Sequence, residues 1–370
     1  MREPDSVDWS TVAIVGVGLI GGSLALALRR AGLAGRVIGV SRPGTIRDAI
    51  GMGVIDEGGG YDELERLIAP ARVVFLCTPI RRIIELLPPT MAAAAPGTLV
   101  TDVGSTKGEI VHAARDARPA RLGVTFIGGH PMAGSEQSGV GAADPFLFQN
   151  AMYVLTPTAE TPEPLVASFA AGLARIGARV IRLAPETHDR VAAAVSHLPQ
   201  LISLALVELV ADRNEEEPAH LQMAAGGFRD MTRIASSPYR MWRDILATNA
   251  PEVRAALDAF AGYLGRFARD LEDMEPHFDR ANRTRDAIPR DAKGFLSPPS
   301  DVLVRCEDRP GVLARMTAAL AEAGINIMDI ELLKIREGEG GTFRMAFRDR
   351  QAADEAAALL TAAGFPARVR

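Results

Sequence analysis

The chain is short of cysteine, lysine and aromatic residues, and these shortages narrow what it can do. Only two cysteines, Cys77 and Cys306, occur in 370 residues, far apart and without CxxC or Cys/His spacing. That argues against a disulfide framework and against a thiolate zinc site. Cys77 lies inside the apolar run VVFLC and reads as a small core residue rather than a nucleophile. Lysine occurs only at 107, 293 and 334, and the net charge is -5. A nucleic-acid binder would show a basic excess instead. The first residues, MREPDSVDWS, hold no apolar signal core, and no uninterrupted apolar run of membrane length is expected further on. A reducing cytoplasm is the expected compartment. No cluster of ligating side chains has metal-binding spacing, so no metal is expected. With 48% apolar and 24% charged residues, the chain can bury a large core in two or three domains.

What is present is more specific. Val12 to Gly18, VAIVGVG, is a short β-branched run suited to a strand buried on both faces. Gly16, Gly18 and Gly21 then fit G-x-G-x-x-G, with Ile20 between them, and strong helix formers follow. Such glycines permit a tight turn and let a pyrophosphate approach the helix N-terminus. An acidic residue about 20 positions on would bind the ribose hydroxyls of NAD. Ser41 and Arg42 stand there instead. That pair would suit the 2′-phosphate of NADP, so on the residues alone NADP is slightly favoured and NAD stays open.

Further strands are expected at 72–79, 98–105, 124–131, 151–157 and 178–185, with helices at 61–70, 106–117 and 162–176 between them. Strands alternating with helices predict an α/β, Rossmann-type doubly wound sheet over residues 1–186. Ligands of such sheets lie beyond the carboxyl ends of the strands. Thr78-Pro79, Ser105 and His130 stand at such ends and are expected to share one crevice. His130 sits in GGHPMAG (128–134), whose glycines and proline are expected to bend the chain just after a strand.

From Glu186 the pattern turns helical, and residues 187–285 are expected to form an all-helical dimerisation domain. Thr187 is expected to cap the first helix, with Pro199 kinking it just after His197. Asp230 and Arg233 are three residues apart, a spacing that puts both on one helix face. The carboxylate could then orient the guanidinium, whereas a plain surface ion pair would contribute little. Alanine-rich helices in this number usually bury against one another or a second subunit, so a homodimer is expected.

GGHPMAG, TDVGSTK (101–107), SHLPQ (196–200), GFRDMTRIA (227–235) and MWRDI (241–245) together resemble the prephenate dehydrogenase family of tyrosine biosynthesis. The resemblance runs over about residues 10–285. It implies oxidative decarboxylation of prephenate to 4-hydroxyphenylpyruvate, with NAD or NADP as hydride acceptor. It also implies His130 as the catalytic histidine, Ser105 as a hydrogen-bonding partner of that histidine or of the substrate hydroxyl, and His197 and Arg233 as substrate-binding groups. Asp230 would orient Arg233, and Trp242 would close the pocket. The family commonly carries an Asp where Ser41 stands. Arogenate dehydrogenase, or a dual-specificity cyclohexadienyl dehydrogenase, is the alternative. A non-catalytic nucleotide and amino-acid sensor is more distant, because Ser105, His130, His197 and Arg233 are all present. An ACT-bearing 2-hydroxyacid dehydrogenase would place its histidine late in the nucleotide domain.

Residues 286–300 read as a Pro-rich linker. Residues 301–370 then give strand, helix, strand, strand, helix, strand, the ferredoxin-like order. EDRPGVL (307–313) and GINIMDI (324–330) resemble an ACT domain. That resemblance implies an amino-acid effector site near Asp308, Pro310, Gly311 and Asn326, with tyrosine as the effector.

Overall fold

Alternating strands and helices in the first half of the chain build one eight-stranded sheet. The structure, a computed structural model, describes residues 6–117, 123–134, 137–288, 300–307, 309–336 and 340–370. In chain order the sheet region comprises β1 (Thr11–Val15), α1 (Leu19–Arg30), β2 (Arg36–Val40), α2 (Pro43–Gly51), β3 (Glu57–Gly59), α3 (Leu64–Ile68) and β4 (Val73–Leu76). There follow α4 (Ile80–Ala93), β5 (Leu99–Asp102), α5 (Gly108–Asp116), β6 (Thr125–Pro131), β7 (Met152–Thr156), α6 (Glu163–Arg175) and β8 (Arg179–Arg182).

The strand order is 3-2-1-4-5-6-7-8. The first six run parallel, and β7 turns antiparallel to β6. Because successive strand residues point to opposite faces, the sheet has two cores. Ile14 and Phe75 face one side, with Leu24, Leu28, Phe169 and Leu173 of α1 and α6. Ala13, Val15, Val74 and Leu76 face the other, with Ile83, Leu87 and Ile110 of α4 and α5.

The glycine turn is sterically compelled. Gly16 adopts φ +100°, and a Cβ there would stand 2.6 Å from the Cys77 carbonyl oxygen. A Cβ on Gly21 would lie 2.2 Å from Gly16 O, so α1 crosses β1 too closely for any side chain. Gly18 faces open space.

The GGHP segment corrects the expectation of a bend after a strand. Gly128 to Pro131 lie inside β6 and pair with β7, His130 opposite Val154. The glycines are there for close packing. A Cβ at 128 would stand 2.2 Å from Thr156 Oγ1, and one at 129 would stand 2.6 Å from Asp102 O. Pairing of β6 with β5 ends at Ile127, so the amide that Pro131 lacks is not missed on that side.

Helices follow: α7 (Pro185–Ala192), a π turn at Ala193–His197, α8 (Leu198–Glu216), α9 (Ala219–Gln222), α10 (Gly226–Thr232), α11 (Tyr239–Thr248), α12 (Ala250–Arg269) and α13 (Glu275–Ala287). Thr187 does not cap the first of these. Ala184 holds the N-cap and Pro185 the first turn, where a missing amide costs nothing. A π turn stands just before Pro199, widening the helix at His197, and Pro199 lies in the first turn of α8. The helical run Pro185–Glu216, 32 residues with a mean hydropathy of 1.6 in its most apolar window, is long and apolar enough to cross a membrane. The match is one of length and composition only. Its polar members His188, Asp189, His197, Gln200 and Ser203 are buried, while Val195 and Leu209 stand exposed.

By compactness the chain divides into Met1–Phe278 and Asp279–Arg370. The second unit carries β9 (Ser300–Cys306), α14 (Val312–Glu322), β10 (Asp329–Arg336), β11 (Gly340–Phe347), α15 (Arg350–Ala362) and β12 (Ala367–Val369). Its sheet order is 10-11-9-12, all antiparallel.

Gly21→Ala is expected to destabilise the protein by about 1–3 kcal/mol, the usual penalty for overpacking. Gly18→Ala is expected to stay within about 0.5 kcal/mol of the parent. Urea unfolding of the two variants checks both values.

Candidate active site

The ends of β5 and β6, the start of α5 and the start of the helical region meet at one buried polar cluster. Asp102 ends β5, and Lys107 lies five residues later; both are fully buried and ion-paired. Lys107 Nζ also donates to Gly129 O at 2.7 Å. Asp102 accepts from the amides of Gly104 at 2.8 Å and Gly129 at 3.0 Å. The loop carrying Ser105 and the strand carrying His130 are thereby clamped together.

His130 Nδ1 lies 2.8 Å from His188 Nε2, and His188 Nδ1 lies 2.8 Å from Asp189 Oδ1. Asp189 reaches across to α5, accepting the amides of Lys107 and Gly108 at 2.7 Å each. The carboxylate thus sits on the positive end of that helix. Asn249 Nδ2 donates to Asp189 O at 2.8 Å and to His197 Nδ1 at 3.2 Å. Trp242 meets the edge of His197 with ring centres 6.0 Å apart. Thr106 and Thr248 join hydroxyls at 2.8 Å.

Burial holds the His130 imidazole well below its ordinary 6.5, and His188, Lys107 and His197 push it the same way. His197 falls to about 4, chiefly through burial, with Asp189 raising it and His188 lowering it. Both rings are therefore neutral near pH 7, and one can accept a proton.

The other expected residues divide into two sets. Ser105, half-buried beside the clamp, makes no hydrogen bond to His130, whose Nδ1 is held by His188. Asp230 and Arg233 are exposed and make no ion pair with each other. Helix α10 ends at Thr232, so Arg233 begins a 3-10 turn (Arg233–Ser236) that is fastened to α8 by Gln200 Nε2 on Ile234 O at 3.0 Å.

Beside the cluster, the crevice fits a dinucleotide. Gly18 has open space above it at the N-terminus of α1, and half-buried Ile20 lies in that first turn. Thr78 Oγ1 is buried without a partner, next to Pro79 at the N-cap of α4. Ser41 is buried at the end of β2, while Arg42 beside it is exposed. In the second unit Gly311 takes φ +84° at the N-cap of α14, next to Pro310, and Asn326 is exposed before β10. Asp308 lies outside the described residues.

Residues 24–182 match the family profile for the prephenate dehydrogenase nucleotide-binding domain, residues 184–279 its dimerization domain, and residues 300–364 the ACT domain. A prephenate dehydrogenase of Bacillus subtilis is 36% identical, covering 93% of this chain and 95% of the relative. The chain belongs to the prephenate dehydrogenase family. A cyclohexadienyl dehydrogenase of Zymomonas mobilis is 31% identical over 76% of this chain and 96% of its own length. Among solved structures, prephenate dehydrogenase of Aquifex aeolicus in complex with hydroxyphenyl propionate and NAD+ is similar. It shows a TM-score of 0.69 at 33% identity, covering 76% of this chain and 98% of that one. Synechocystis arogenate dehydrogenase gives 0.65 at 32%, covering 75% and 97%.

Within this family member, sequence reasoning missed His188, Asp189, Asn249 and the role of the Asp102–Lys107 pair. Lys107 carried one visible signal: a lysine inside a strand-end motif of a chain whose basic residues are nearly all arginine.

The buried histidines set a pH dependence of stability. Both native pKa values lie below the unfolded 6.5, that of His197 at about 4, so the unfolded chain binds more protons as pH falls from 6.5 through the His197 value. Stability contributed by the neutral rings is thus full above pH 6.5 and lost as pH falls through that window. His197→Asn is expected to flatten the fall in Tm between pH 7 and 5, read by calorimetry at each pH.

Proposed function

We propose that the chain catalyses oxidative decarboxylation of prephenate to 4-hydroxyphenylpyruvate with NAD+, as a step in tyrosine biosynthesis. The observation that carries this reading is the neutral, buried imidazole of His130 on the strand beside the dinucleotide crevice. The Gly16–Gly18–Gly21 turn would hold NAD+, which would supply the hydride acceptor. His130 Nε2 takes the proton of the substrate's C4 hydroxyl as the C4–H electron pair leaves as hydride. Loss of CO2 from C1 then returns an electron pair to the ring, which becomes aromatic. His130 gives its proton back to the phenolic oxygen, so no proton is released overall. General-base help of this kind is worth about 10² to 10⁴ in rate.

His197 works differently. Its Nδ1 accepts from Asn249, so its Nε2–H is left to donate to a substrate oxygen. Ser105 offers a hydroxyl beside the same place, and Trp242 walls it. Arg233, with Asp230 close in sequence, is assigned to a substrate carboxylate, where a bidentate guanidinium fits. Prephenate is preferred to arogenate because the buried carboxylates Asp102, Asp189 and Asp244 are each occupied by donors within the protein. Among the described residues, no buried carboxylate is left to receive an amino group. NAD+ is preferred to NADP+ on the NAD+ held by the Aquifex relative; exposed Arg42 is the group a 2′-phosphate would need.

The uncovered apolar side chains of α8 and α12, including Leu209, Leu257 and Leu264, support a homodimer through the helical region. We place the enzyme in the cytoplasm and assign tyrosine as effector of the ACT unit. An open cavity of about 830 Å³ there, lined by Arg305, Glu307, Arg315, Thr342 and Phe365, offers charges of both signs and an aromatic wall.

Reduced-cofactor formation with prephenate and with arogenate, each with NAD+ and NADP+, tests the reaction; absence of turnover on both substrates would remove it. His130→Asn is expected to bind NAD+ normally and lose about 10² to 10⁴ in kcat, and near-parental kcat would remove His130 as the base. A chain ending at residue 287 is expected to turn over prephenate but escape inhibition by tyrosine. Equal inhibition of the short and full chains would place the effector elsewhere.

A further inference from the structure

We propose that His188 and Asp189 are positioning residues that hold His130 with Nδ1 protonated and Nε2 bare, and share its charge once Nε2 is protonated. The proposal deepens the prephenate reading and rests on it.

The direction of each hydrogen bond follows from the donors around Asp189. Its Oδ1 accepts the Lys107 amide and its Oδ2 the Gly108 amide, both at 2.7 Å. A carboxylate that already receives two backbone amides acts as an acceptor, so His188 Nδ1 must be its donor at 2.8 Å. The other nitrogen of a neutral His188, Nε2, then carries only a lone pair. Across 2.8 Å it can be satisfied only by an N–H on His130 Nδ1. The opposite tautomer of His130 would set two lone pairs against each other in a site where all three residues are buried.

Among the described residues, the charged and titratable groups facing this row are Lys107, with Asp102 behind it, and His197. None of them meets His130 Nε2 in a hydrogen bond. A proton arriving there stays on that nitrogen, His188 keeps its Nδ1 proton, and Asp189 stays an ionised acceptor. The positive charge is spread toward the carboxylate through two aligned hydrogen bonds, much as a carboxylate steadies a catalytic histidine elsewhere. The carbonyl of Asp189 also holds Asn249, which fixes His197 in the opposite sense. One residue thereby gives the pocket one bare nitrogen and one N–H.

Nitrogen NMR of the full chain labelled with 15N-histidine reads the tautomers directly, with His130→Asn assigning the signal among six histidines. Wild type is expected to show His130 protonated on Nδ1 alone, and His188→Leu to lose that preference. In turnover, His188→Leu is expected to lower kcat roughly 10²-fold or more, with KM for prephenate and affinity for NAD+ within about threefold. His188→Gln, whose amide carries an acceptor and a donor, is expected to recover about tenfold of that loss. The proposal is overturned if wild-type His130 is protonated on Nε2, if His188→Leu keeps kcat, or if the Gln variant is no better than Leu. Failure of wild type to turn over prephenate would remove the substrate reading, and the NMR result would still decide the tautomer.

Discussion

The buried ion pair of Asp102 and Lys107 is the interaction on which the rest of the site depends. It joins the end of β5 to the loop before α5, and through Gly129 it joins both to β6. Burial pushes the Lys107 ammonium down, and the Asp102 carboxylate beside it works against that shift. A pair of this kind adds little net stability, but removing one partner typically costs about 3–5 kcal/mol. Its value lies in position. Ser105, His130 and the N-terminus of α5 are set by one contact, and Asp189 then docks α7 onto that same helix N-terminus.

The helical region therefore completes the cluster rather than merely packing beside the sheet. Asp189, the π turn with His197 and the Asn249 junction between α11 and α12 all bear on the strand ends. Asp244 adds a second fastening, accepting the Arg81 amide at the start of α4. That helix follows the Thr78-Pro79 turn, so the cofactor crevice and the wall formed by Trp242 share one support.

Much of this was legible where the constraint is local. The Gly16, Gly18 and Gly21 spacing expresses contacts within a single strand-turn-helix, and the apolar strand runs express burial on two faces. Features that depend on distant partners were hidden. Gly128 and Gly129 look like chain breakers until Thr156 and Asp102 are seen against them. His188 and Asp189 are adjacent on a helix, a spacing that signals nothing, and acquire meaning only from His130 and α5. Edge strand β3, Glu57–Gly59, has no β-branched residue and exists because β2 offers it a partner. The Asp230–Arg233 pairing presumed a helix that instead ends between them.

The central claim is that a neutral His130 accepts the substrate's proton. The dependence of kcat/KM for prephenate on pH, followed from 8 to 4 with the full chain, tests it most directly, since that ratio reports groups of the free enzyme. The account predicts a plateau through neutrality and an acid limb that sets in only below pH 6.5, as burial requires. A limb centred above pH 7 would contradict it.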